Sequence, residues 1–246
     1  MWTVTALASE ARPAKGVIWR VVEDQYRAST RKLVDTLEEH DLLEALLDQD
    51  KPPYPVEAEG LHYLLKTPFR YHPPPPFGSR FRRPAAGDGI FYASEDIRTA
   101  LAELAYWRLK FFRDAPDAVL PRQEERLTVF STRYATERQL DLTRTPLSKD
   151  RQRWINPEDY SDTQALADRA REAEIDVIRY ESVRDTLHGA NLALLTPTVF
   201  VGKKPVTQQT WFLYLAQAEI NFTRAHAKGI EDRWVFPVTQ FDSSAR

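Results

Sequence analysis

Four groups of residues in this chain carry side chains able to bind or transform a charged small molecule. Arg20 stands inside the apolar run Ile18-Trp19-Arg20-Val21-Val22. A guanidinium that is buried there must find a partner or a ligand; on an edge strand it would face water. The stretch Gly78-Ser79-Arg80-Phe81-Arg82-Arg83-Pro84 sets three arginines and an aromatic behind a glycine. Guanidinium matches phosphate in bidentate geometry, and the alternative is a solvated basic loop. Phe91-Tyr92-Ala93-Ser94 leads into a helix in which Glu103 is flanked by Ala and Leu, with Thr99, Tyr106, Trp107 and Lys110 on its face by helical spacing. Such a carboxylate either pairs with Lys110 on the surface or points into a pocket. Tyr160-Ser161-Asp162-Thr163-Gln164 carries the S-x-x-Q capping-box pattern, with Ser161 as the cap. The helix start behind it would offer free N–H groups and a positive partial charge to a phosphate.

Other chemistries are excluded by what the sequence lacks. The five histidines (His40, His62, His72, His188, His226) include no i, i+4 pair, so there is no zincin helix and no metal site is assigned. No G-x-x-x-x-G-K-[ST] loop occurs, Gly87-x-Gly89 lacks the third glycine of a dinucleotide fingerprint, and no G-x-S-x-G elbow is present. With no Cys at all, disulfide scaffolds, Cys-type zinc fingers and cysteine nucleophiles are out. A net charge of −2 over 246 residues gives no general electrostatic case for nucleic acid or anionic membrane. Nor is there a signal-peptide pattern at Met1 to Ala6 or a run of about 20 apolar residues. The expectation is a cytoplasmic protein that binds neither nucleic acid nor membrane.

The elements that must hold these residues read as follows. Residues 17–22 predict a strand, and the leucines from Leu33 to Leu47 predict an acidic helix over 30–50. Residues 51–86 read as a long irregular connection with a polyproline run at Pro73 to Pro76. A strand over 89–93 leads into a helix capped by Ser94 that reaches about Phe112. A strand over 126–132, the helix from Ser161 to about Glu174, and strands at 175–180 and 191–195 follow. The tail offers strands at 210–215, 220–223 and 234–238. Interleaved helices and strands with several adjacent strands at the end favour α+β over a regular doubly wound sheet.

Taken in order, Arg20, Glu103 and Ser161 in these contexts resemble the RES-domain family, named for those three residue types. The matching stretches are Ile18-Trp19-Arg20, Gly78-Ser79-Arg80-Phe81, Ile90 through Glu103, Tyr160 through Leu166, and Arg179-Tyr180-Glu181-Ser182-Val183-Arg184 through Pro197, covering about residues 17–200. The resemblance implies a single RES-type domain over 1–246, with a helical and Pro-rich insertion at 30–75 and a strand-rich C-terminal extension at 200–246. It implies an ADP-ribosyltransferase-like, mixed or antiparallel, sandwich-like β core flanked by helices. It places the family's Arg on Arg20, its Tyr on Tyr92, its Glu on Glu103 and its Ser on Ser161, with Arg80 in the arginine loop. Here Phe81-Arg82 replaces the family's usual Trp-Asn, which leaves the loop's binding role open between Arg80 and Arg82. Ser182 is a second candidate for the family serine; Ser161 is preferred because its helix start can face a phosphate.

What the resemblance implies about activity is the toxin of a bacterial toxin–antitoxin pair that consumes NAD as its substrate. Glu103 and Arg20 would be the catalytic groups, and Arg20, Arg80, Arg82, Tyr92 and Ser161 would bind NAD. The reaction would be hydrolysis or phosphorolysis of the nicotinamide–ribose bond. One alternative is mono-ADP-ribosylation of a protein target. Another is a non-enzymatic interaction module that uses the Pro-rich loop and the acidic helix. The implied partner is a small, DNA-binding cognate antitoxin.

Overall fold

The computed structural model describes residues 2–24, 33–49, 51–71, 78–84, 89–115, 117–226, 229 and 232–242. The polyproline run at Pro73 to Pro76 and residues 30–32 and 50 of the expected acidic helix lie outside the described residues, and its described part is helical from Leu37 rather than from 33. Helices are α1 (Val4–Glu10), α2 (Leu37–Gln49), α3 (Tyr63–Lys66), α4 (Ile97–Asp114), α5 (Arg151–Trp154) and α6 (Ser161–Glu172). Strands are β1 (Arg12–Glu23), β2 (Phe91–Ser94), β3 (Glu125–Asp141), β4 (Val177–Glu181), β5 (Ala190–Leu194), β6 (Thr207–Leu215), β7 (Glu219–Arg224) and β8 (Arg233–Pro237). No helix among the described residues is long and apolar enough to cross a membrane.

All eight strands belong to one sheet in the order β1-β2-β5-β4-β3-β6-β7-β8, and β1 also pairs with β3. Only β3–β4 is parallel; the other pairings are antiparallel. The architecture is α+β with a mixed, mostly antiparallel core, as the sequence predicts. The extra β1–β3 pairing closes β1, β2, β5, β4 and β3 into a ring. Its interior is packed by Ile18, Phe91, Phe130, Tyr134, Val177, Leu192 and Leu194, drawn from all five strands. The 17-residue β3 makes this possible. Val17 to Glu23 of β1 pair along one of its edges, while β6 takes Glu125–Ser131 and β4 takes Gln139–Asp141 on the other. The expected strand at 126–132 stops short because the second half of β3 alternates exposed Arg133, Ala135 and Glu137 with buried Tyr134 and Thr136. That pattern marks a strand with one wet face rather than a loop.

Helix α4 lies across the strands beside this ring. It starts at Asp96, not at Ser94: the Asp96 carboxylate accepts from Thr99 N at 2.8 Å, satisfying an otherwise unpaired helix donor. Leu101, Ala102, Ala105 and Leu109 pack onto Leu127, Val129, Trp211 and Leu213 of β3 and β6. Burying Leu101 alone contributes about 1.5–3 kcal/mol. The apolar stripe fixes the helix rotation, and that rotation decides where Glu103 points.

Candidate active site

A cross-strand row forms the floor of the site. Trp19 of β1 stands opposite Ser94 of β2, Ser94 opposite Asn191 of β5, and Asn191 opposite Tyr180 of β4. Directly paired residues project to the same face of a sheet, so four strands contribute to one surface. Glu103 descends onto it from α4. Its Oε1 accepts from Ser182 Oγ at 2.7 Å and from Asn191 Nδ2 at 2.6 Å. Ser94 Oγ donates to Asn191 Oδ1 at 2.6 Å, which turns the amide's NH2 toward the carboxylate. Ser182 Oγ also accepts from the backbone N–H of Arg184 and Asp185 at 3.2 and 3.1 Å, so its bonding capacity is filled. Glu103 Oε2 has no partner among the described residues. One oxygen is clamped and the other is unpaired among the described residues. The surface Glu103–Lys110 pair does not form, because Lys110 bonds Asp114 at 2.7 Å.

Arg20 enters the same cavity from β1. Its Nη1 donates to Tyr92 O at 2.6 Å, its guanidinium lies 4.9 Å from the Phe91 ring centroid, and its Nε is enclosed without a partner among the described residues. Burial pushes the group down to about 10, which leaves it charged at neutral pH. The reading of Arg20 as a water-facing edge residue gives way to a guanidinium with an unmet donor.

The arginine stretch is a built turn, not a solvated loop. Ser79 and Arg82 exchange backbone hydrogen bonds at 2.8 and 3.1 Å. Gln164 Nε2 donates to both their carbonyls at 3.0 and 3.2 Å. The Tyr92 hydroxyl accepts from Phe81 N at 3.2 Å and bonds Ser79 Oγ at 2.7 Å. Burial pushes the Tyr92 phenol up, so it stays a neutral hydroxyl that pins this turn. Arg80 is buried, donates to Trp154 O at 2.7 Å and stacks 4.7 Å over Tyr160.

The structure brings Arg20, Arg80, Tyr92 and Glu103 to one cavity of about 280 Å³, together with Trp19, Trp107, Tyr160, Tyr180, Arg184 and Asn191. Two other candidates lie elsewhere. Arg82 is buried and donates to Tyr71 O at 2.6 Å, away from the cavity. Ser161 is the first residue of α6 rather than its cap; the capping position is Tyr160, with no side-chain bond. The S-x-x-Q pattern fails as a box because Gln164 is committed to the arginine turn. Ser161 lines a larger adjoining cleft that shares Trp107 and Tyr160 with the cavity. The serine beside Glu103 is Ser182.

Asn191 and Arg184 escaped the sequence reading as site residues. Arg184 is buried, 3.4 Å over the Tyr106 ring, and donates to Pro157 O at 2.6 Å. A faint signal existed for Asn191, an amide opening the otherwise apolar strand Asn-Leu-Ala-Leu-Leu. Arg20, Arg80 and Arg184 set three positive charges around the single carboxylate of Glu103. The cavity is therefore biased toward an anionic ligand.

The fold and cavity define an α+β protein with a partly closed, mostly antiparallel sheet and an arginine-rich cavity around one clamped carboxylate. The RES domain matches residues 52–215, and the chain belongs to this family. Arg20 on β1 lies ahead of the matched segment; Arg80, Tyr92, Glu103, Ser161 and Ser182 lie within it. No curated protein matches the chain. Its fold is similar to the crystal structure of the M. tuberculosis MbcT-MbcA toxin-antitoxin complex, with a TM-score of 0.50 and 12% identity, covering 86% of this chain and 91% of that one.

Proposed function

We propose that this protein is the toxin of a toxin–antitoxin pair and that it consumes NAD by breaking the nicotinamide–ribose bond. The observation that carries the reading is Glu103: a carboxylate with Oε1 held by Ser182 and Asn191 and Oε2 without a partner among the described residues, in one cavity with Arg20, Arg80 and Arg184. Membership of the RES family and likeness in fold to a toxin solved with its antitoxin support it.

The arginines hold the pyrophosphate and fix the dinucleotide's register. Glu103 Oε2 accepts a hydrogen bond from a ribose hydroxyl and stabilises positive charge as the sugar becomes oxocarbenium-like. The C–N bond breaks with its electron pair going to the ring nitrogen, so nicotinamide leaves neutral and no acid is needed. Water or inorganic phosphate then bonds to the sugar carbon, water giving up a proton to solvent. Transfer of the ADP-ribose to a protein side chain is the second reading, since a larger cleft that shares Trp107 and Tyr160 with the cavity lies beside it and offers room for an acceptor. A cognate antitoxin completes the proposal.

Incubation of the purified protein with NAD, read by mass, tests it. Free ADP-ribose, ADP-ribose phosphate or a modified protein band identifies the acceptor. An intact NAD pool with and without phosphate, and no modified protein, refutes the reading.

A further inference from the structure

We propose that Tyr180 contacts the substrate, its hydroxyl hydrogen-bonding an uncharged oxygen of the molecule bound beside Glu103. The inference rests on the NAD-consuming reading above. Tyr180 closes the row Ser94–Asn191–Tyr180 at the floor of the cavity. The first two members spend their polar groups on each other and on Glu103. Tyr180 does not: its hydroxyl has no hydrogen-bond partner among the described residues. Nor is that oxygen among the sealed atoms without partners, so it opens to the cavity.

A buried tyrosine ordinarily finds a partner for its hydroxyl, and phenylalanine would fill an apolar site without that demand. The ring itself is held firmly. Tyr180 is 7% exposed and meets Phe81 edge-on at 4.8 Å between centroids. The hydroxyl is thus aimed in advance, and a ligand that bonds it loses little freedom in doing so. Burial, and then the nearby Glu103 charge, hold the phenol well above its ordinary value. It remains protonated and able to donate throughout the neutral range. Arg20, Arg80 and Arg184 serve the anionic part of the dinucleotide; Tyr180 serves an uncharged acceptor near the bond that breaks. Two oxygens qualify, the carboxamide oxygen of nicotinamide and a ribose hydroxyl.

The test is Tyr180→Phe, which removes one oxygen and keeps the ring contact with Phe81. Because that oxygen has no protein partner, Tm is expected not to fall, while kcat/KM for NAD falls about tenfold, the worth of one desolvated hydrogen bond. Inhibition by free nicotinamide separates the two oxygens: weakened inhibition assigns the carboxamide, unchanged inhibition the ribose. An active wild type with Tyr180→Phe unchanged in kcat/KM, or with a loss explained by a lower Tm, overturns this inference alone. A wild type that consumes no NAD overturns the functional reading and this inference with it.

Discussion

Two serines compete for the place beside the Glu103 carboxylate, and the structure puts them in different surroundings. Ser182 donates to Glu103 Oε1 at 2.7 Å, whereas Ser161 lies in the adjoining cleft. A hydrogen bond to a charged group is worth about 1.5–3 kcal/mol. If the bond is realised fully in the transition state, its loss in Ser182→Ala lowers kcat about 10- to 150-fold. The same substitution strips the Arg184 and Asp185 N–H groups of their acceptor. A stability loss of about 1–3 kcal/mol is therefore expected alongside, and activity must be normalised to the folded fraction. Asn191→Ala supplies the internal check, since it removes the other donor to Glu103 and leaves the Ser182 turn intact. Initial rates of NAD loss, followed by mass for all three variants, are the assay. Ser182→Ala and Asn191→Ala should fall together, and Ser161→Ala should stay within about twofold of wild type. A tenfold loss in Ser161→Ala with the other two near wild type would refute the assignment of Ser182.

Glu103→Gln keeps an oxygen to accept from Ser182 and Asn191 but removes the negative charge, so the protein should stay folded while NAD consumption drops at least about 100-fold; wild-type turnover in that variant sinks the role of Glu103. Arg20→Ala should weaken NAD binding by calorimetry, because it removes a guanidinium that lines the cavity; unchanged affinity removes Arg20 from the site. In Gly189→Ala the new Cβ would lie 2.0 Å from Thr99 Oγ1 and 2.9 Å from Asp185 Oδ2, breaking the buried Thr99–Asp185 bond. Overpacking of that kind lowers stability by about 1–3 kcal/mol, seen as a Tm drop of about 2–12 °C; an unchanged Tm would contradict the packing described around Asp185.

The fold class was legible because the strands alternate or run apolar in the usual way and because α4 carries a continuous Ala/Leu stripe. Arg20, Arg80, Tyr92 and Glu103 were legible because each stands out chemically from its neighbours. The rest depended on contacts that no local pattern records. Ser94 reads as a helix cap until Asp96 is seen to cap the helix and Ser94 to hold Asn191. Ser161 and Gln164 spell a capping box, yet Gln164 is drawn off to a turn about 80 residues away in sequence, at Ser79 and Arg82. Arg82 looks as free as Arg80, and only the backbone carbonyl of Tyr71 reveals that it is a structural group. The strand row that joins Ser94, Asn191 and Tyr180 depends on pairing register, which sequence fixes only through tertiary packing.

Ring closure through β1 and β3 has a consequence for the ribosome. The cavity needs Arg20 from the first strand of the ring, but Ser182 and Asn191 arrive only with the turn after β4 and with β5. At roughly 5–20 residues per second, Asn191 is synthesised on the order of 10–30 s after Arg20. Until then β2 lacks its neighbour β5, and Glu103 has neither of its two donors. A chain that stops before β5 therefore cannot assemble the Glu103 clamp. Because β5 is the last strand of the ring to be made, closure of the ring and completion of the Glu103 clamp coincide.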